Sequence, residues 1–174
     1  MLLKSYTKEI FRPECNHSFE SLHCFAHLEE DVGEVLPYLN AVLGGYIFTQ
    51  EPPSVTFKVH GKLVAVHPRK IAVNALKDEG EATKIIEWMK REINSAWEKR
   101  ADIQPSYTAT PGPQVFEILK MLPKNNCKEC GLPTCMVFAS QVAEGVRGPQ
   151  DCPPLEKAQM AKMEEYLSPF HLDF

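Results

Sequence analysis

Apolar positions recur at two periods along this chain, and the change from one to the other outlines its first part. Val55, Phe57 and Val59 alternate with polar residues, the two-residue repeat of a strand with one buried face. Gly61 marks a tight turn into a second strand over Lys62–His67, and Pro68 separates that strand from a third over Lys70–Ala75. These form an antiparallel meander, with Tyr46–Gln50 as a fourth candidate ahead of the Pro52-Pro53 break. From Glu79 to Lys99 the period lengthens. Ala82, Ile85, Ile86, Met89, Ile93, Ala96 and Trp97 then share one helical stripe, opened by a capping-box pair at Asp78 and Glu81. An amphipathic helix after a meander buries its stripe on the sheet, which predicts an α+β fold.

Before the meander, LLKSYTKEIF reads as a short strand that turns at Arg12-Pro13. With Ser18 as a cap, the following segment reads as a helix carrying Phe19, Leu22 and Ala26 inward. A further helix is expected from about Leu36, stopped by Gly44-Gly45. After the long helix, IQPSYTATPGP (103–113) has the composition of a linker. The boundary is placed there, between an α+β domain over 1–105 and a helical domain over 106–174. Helices are expected over Val115–Leu122, from Pro133 to Val146, and from Pro153 to Leu167.

Composition narrows the function classes. Hydrophobic content of 44% and charged content of 24% describe a soluble globular protein. The net charge of −4 divides evenly, with 13 basic and 15 acidic residues over 1–105 against 6 and 8 over 106–174. No basic half tracks phosphates, so nucleic acid is not an expected partner. The chain lacks a signal peptide's apolar core and any run long enough to span a bilayer. Cysteines spaced as ligands, with no export signal, point to the reducing cytoplasm. No phosphate loop, HExxH or nucleophile elbow occurs in the N-terminal part, so a non-enzymatic protein is the expectation.

Chemistry concentrates in LPKNNCKECGLPTCMVFASQVAEGVRGPQDCP, from Leu122 to Pro153. Cys127, Cys130, Cys135 and Cys152 follow the spacing C-x2-C-x4-C-x16-C, with proline directly after the last. Such thiols can converge as a metal centre requires of its ligands. Three on one loop and a solitary fourth before proline is the habit of cluster-binding runs, and one iron–sulfur cluster, [4Fe–4S], is expected. A closed zinc site remains the main competitor, although zinc ribbons favour two separate C-x2-C pairs. Four inert buried thiols are the bland alternative. With Pro133 opening a helix, Cys135 falls in its first turn, where free N–H groups favour an anionic thiolate. Met136, Phe138, Ala139, Val142 and Val146 are expected to cover the centre. A second suspicion attaches to Cys15, His17, His23, Cys24 and His27, where the helical reading sets His23 and His27 on one face. Their spacing matches no defined metal site, and packed thiols with surface histidines are the simpler account.

Leu122-Pro123, Cys127, Cys130-Gly131, Pro133, Cys135, Phe138-Ala139 and Cys152-Pro153 together resemble a small four-cysteine iron–sulfur domain. That domain is found in the corrinoid iron–sulfur protein large subunit, the acetyl-CoA decarbonylase/synthase gamma subunit and the Rnf complex B subunit. The resemblance covers roughly residues 111–155. The whole chain is similar to short proteins of anaerobic prokaryotes that join this domain to an unrelated N-terminal part. Family members often have glycine after the first cysteine, where this chain has Lys128. The resemblance implies electron transfer in anaerobic metabolism. The expected partner is a redox protein, such as a corrinoid protein or methyltransferase. A DxHxxG cobalamin signature is missing from the sequence. Two further readings stay open: a structural or sensory centre beside a ligand-binding or protein-binding N-terminal part, and an enzyme using Cys15, Cys24 and the nearby histidines.

Overall fold

The structure is a computed structural model and describes residues 1–12, 21–172 and 174. Strands β1 (Tyr6–Phe11), β2 (Leu22–Leu28), β3 (Ile47–Gln50), β4 (Pro53–Val59), β5 (Lys62–His67) and β6 (Lys70–Leu76) form one antiparallel sheet. Their order is β1-β2-β6-β5-β4-β3. Helix α1 (Leu36–Leu43) lies on the crossover between β2 and the far edge strand, and α2 (Glu79–Glu98) follows β6 and packs on β2, β6 and α1. The fold is α+β, as the periodicity predicts. His60 and Gly61, at φ +48° and +77°, make the tight turn between β4 and β5.

Strand β2 corrects the sequence reading. The expected helix from Ser18 (a residue outside the described ones) gives way over Leu22–Leu28 to a strand paired with both β1 and β6. Leu22, Ala26 and Phe19 fit a helical stripe, but Leu22, Cys24, Ala26 and Leu28 fit period two equally well. Seven residues are too few for periodicity to arbitrate. Two neighbouring strands with unpaired N–H and C=O groups decide the matter. Cys24, Ala26 and Leu28 are buried, and His23, Phe25 and His27 fall on the other face.

Where β2 meets β6 the register slips. Cys24 pairs with Val73 but Leu22 with Leu76, so β6 carries an extra residue, with Ala75 at φ +54°. This bulge turns Leu76 back toward the core three residues after Val73. Lys62 is buried and its ammonium lies 3.2 Å from Glu81, tying β5 to the start of α2. Asp78 caps that helix by accepting from Glu81 N at 2.8 Å, while the Glu81 carboxylate accepts from Lys77 N at 2.8 Å.

By its contacts the chain divides into two compact units. One comprises Met1–Lys58, Lys62–Thr110 and Phe174; the other comprises Val59–Gly61 and Pro111–Asp173. In the first unit Asn40, 1% exposed, donates to Ser106 O at 2.8 Å and Thr108 O at 2.9 Å, and accepts from Gly45 N at 3.0 Å. It fastens residues 106–108 to the end of α1. Asn40→Ala removes the side-chain partner of three backbone groups at once, Gly45 N buried and Ser106 O and Thr108 O part-buried. The urea midpoint should fall by the equivalent of about 3 kcal/mol, with an unchanged denaturant slope. No helix among the described residues is long and apolar enough to cross a membrane.

Candidate metal centre

Helices α3 (Val115–Met121), α4 (Cys135–Ala143) and α5 (Lys157–Leu167) meet on a small core built from Ile118, Leu122, Phe138, Ala139, Val142, Leu155 and Met163. Short helices of this kind hold their shape through packing rather than propensity. Between α3 and α4 the chain runs through an exposed loop, and between α4 and α5 it returns through a 3₁₀ turn over Pro149–Asp151. Asp151 steadies that turn by accepting from Gly148 N at 2.8 Å. The turn delivers Cys152, and Cys152 packs as a member of the core.

Cys127, Cys130, Cys135 and Cys152 line one cavity, walled by Leu122, Leu132, Phe138 and Pro154. All are free thiols. Their exposure is graded: Cys127 is exposed, Cys130 and Cys135 are half-buried, and Cys152 is buried at 6%. Burial pushes the Cys152 thiol up, the three other cysteines push it further, and Leu155 N–H partly offsets them. Ionising all four together therefore needs a cationic core between them. Among the described residues no three His, Cys, Asp or Glu side chains close on one point as a single ion requires.

The loop backbone is unusual in a way that bears on the cavity. Lys124, Asn126, Lys128 and Gly131 have φ of +61°, +48°, +64° and +79°. Left-handed residues spaced this closely curl the chain tightly between α3 and α4, and the loop's N–H groups at Cys127 and Gly131 are taken up locally by Asn125 Oδ1 and Lys128 O. Asn126 Oδ1 accepts from Cys135 N at 2.8 Å, bracing the loop against the first turn of α4. Asn125 Oδ1 accepts from Cys127 N at 3.3 Å, and Thr134 caps α4 by accepting from Val137 N at 3.2 Å. Behind the second cysteine, Arg147 donates from Nη1 to Cys130 O at 3.0 Å and from Nε to Gln141 Oε1 at 2.9 Å.

Reading the cysteine spacing misses Asn125, Asn126, Thr134 and Arg147. The asparagine pair carries one usable signal, since asparagine tolerates left-handed backbone and accepts local N–H bonds. Lys128 is the strained choice in the same geometry. A glycine after the first cysteine suits φ +64°, where a residue with a Cβ is strained by about 1–2 kcal/mol. Lys128→Gly should raise the stability of this unit by about 1 kcal/mol once glycine's extra freedom in the unfolded chain is subtracted. Anaerobic chemical denaturation of the iron-loaded protein would measure it; a loss of stability would mean the lysine side chain makes compensating contacts.

Two expectations are revised here. Phe138 lines the cavity as foreseen, while Ala139 and Val142 are buried in the core without lining it, and Met136 and Val146 are 40% and 56% exposed and outside its lining. The His23, Cys24, His27 group is split by strand alternation, with the Cys24 thiol on the buried face and raised chiefly by burial. His27 instead lies 2.9 Å from Glu9 on β1. Cys15 and His17 lie outside the described residues.

Comparison with known proteins converges on the same segment. A family described as "Putative Fe-S cluster" matches residues 122–154. The acetyl-CoA decarbonylase/synthase complex subunit gamma of Methanopyrus kandleri is 40% identical over 54 residues, 31% of this chain and 12% of that protein. The subunit gamma 1 of Methanosarcina thermophila is 43% identical over 59 residues, covering 31% and 13%. The corrinoid/iron-sulfur protein large subunit of Moorella thermoacetica is 42% identical over 54 residues, covering 31% and 12%. The chain thus spans about an eighth of the length of these relatives. No solved structure matches. The C-terminal segment is an iron–sulfur domain homologous to the corresponding segments of these subunits.

Proposed function

We propose that Cys127, Cys130, Cys135 and Cys152 hold one [4Fe–4S] cluster and that the protein carries single electrons in anaerobic metabolism. The observation that supports this best is that all four free thiols line one cavity. Three of them on one loop with a solitary fourth before proline suit a cluster better than the two separate C-x2-C pairs of a zinc ribbon. When bound, such a cluster accepts and releases one electron, and full cysteine ligation leaves no open coordination site. The chain does the rest. The left-handed loop carries three of the four thiols around the cavity, Phe138 and Leu122 wall its inner side, and Arg147 brings a cation behind Cys130. The relatives' names link this segment to a corrinoid iron–sulfur protein and an acetyl-CoA complex. A corrinoid protein or methyltransferase is therefore the partner class proposed for the electron.

Anaerobic purification followed by iron, zinc and acid-labile sulfide analysis tests the ligand assignment. About four irons and four sulfides per chain are expected, with an electron paramagnetic resonance signal appearing on dithionite reduction. Stoichiometric zinc without sulfide would overturn it. A structural role is the second reading, favoured by the membership of Cys152 in the hydrophobic core. A purely structural centre would not cycle reversibly between two oxidation states.

A further inference from the structure

We propose that electrons enter and leave at the Cys127 edge, and that this edge is shaped to receive an acidic one-electron carrier protein. The proposal rests on the electron-transfer reading above. Of the four sulfur-bearing residues only Cys127 is exposed, and the loop around it is exposed from Pro123 to Glu129. A partner therefore comes nearest the centre there, whereas Cys152 lies under the core. The Asn126–Cys135 hydrogen bond sets this loop beside the first turn of α4, where Met136 and Val137 are 40% and 37% exposed.

The charges on the loop are Lys124, Lys128 and Glu129, two positive against one negative, in a chain of net charge −4. Several charged neighbours in the same unit have partners of their own. Lys120 pairs with Glu117 at 2.6 Å, Asp151 holds Gly148 N, and Arg147 holds Cys130 O. A locally cationic rim with exposed apolar side chains around the most accessible ligand fits brief redox encounters. Those have small contact areas, and charge steers them more than area holds them.

The test uses the full chain, cluster-loaded and reduced, in stopped-flow reoxidation at low salt. Each oxidant takes one electron from the reduced centre. Tris(oxalato)cobaltate(III), an anion, goes to cobalt(II); hexaammineruthenium(III), a cation, goes to ruthenium(II); an acidic flavodoxin takes the electron with one proton from solvent. Lys124→Glu with Lys128→Glu should slow the anionic complex and the flavodoxin by about tenfold and speed the cationic complex. The wild-type rate with flavodoxin should also fall as salt rises. Where the double glutamate variant loads less iron than wild type, Lys124→Asn with Lys128→Asn provides the measurement. Asparagine tolerates the left-handed backbone, and a smaller drop of the same sign is expected. Rates within twofold of wild type for all three oxidants, in a centre that cycles normally, would overturn the port alone. A wild-type centre that cannot be cycled would overturn the electron-transfer reading and the port with it.

Discussion

Cys152→Ser should leave the protein with little iron and melt its C-terminal unit while the sheet survives. Cys152 is buried at 6% and belongs to the same core as Ile118, Leu122, Phe138 and Met163. Losing it removes a proposed ligand and puts an unpaired hydroxyl into apolar surroundings. Roughly 60 residues bury too little surface to be comfortably stable alone. Binding energies at thiolate metal sites are on the order of 10 kcal/mol, against a net stability of about 5 kcal/mol for a small domain. Amide exchange should therefore show protection lost across α3, α4 and α5 but kept in β2, β5 and β6. Cys127→Ser, at the exposed rim, should also lose iron while costing no packing. Full iron content in the Cys152 variant would remove that residue from the ligands, and protection surviving iron loss would uncouple metal from fold.

Phe138→Ala should destabilise the C-terminal unit by about 4 kcal/mol and shorten the life of the centre in air. The ring is 1% exposed and lies at once in the core and in the cavity wall. Its removal therefore forfeits burial, leaves a void and opens a path for water from inside. Met136→Ala, two residues earlier on the same helix with a side chain 40% exposed, is the matched control and should change both properties little. Urea unfolding of the iron-loaded protein and the rate of visible bleaching under oxygen give the two readouts. Equal bleaching rates in the Phe138 variant and wild type would show that the ring packs the helices without shielding the cavity.

How much of this was legible from residues alone depends on how far apart the interacting residues are. The α2 stripe could be read because its partners recur every three or four positions, and its Asp78 cap lies beside it. The β4-β5-β6 meander could be read because alternation and Gly61 are local signals. Strand β2 could not. Its seven residues fit either period, and the choice was made by β1 and β6, the latter more than forty residues away in sequence. The bulge at Ala75 and the anchoring of residues 106–108 by Asn40 depend likewise on partners that no window of sequence contains.

At the candidate centre the same division holds within a few dozen residues. The amino-acid order alone determined that Cys127, Cys130 and Cys135 sit on one loop ahead of a helix, with Cys152 returning after it. Short chain separations leave few other arrangements. Only the tertiary structure decided that Lys124, Asn126 and Lys128 adopt left-handed backbone, that Arg147 reaches back to Cys130, and that Cys127 faces solvent while Cys152 does not. Spacing limits which groups can meet. Which way a backbone N–H or a thiol then points is set by the packing of α3, α4 and α5 on one another, a balance of many weak contacts.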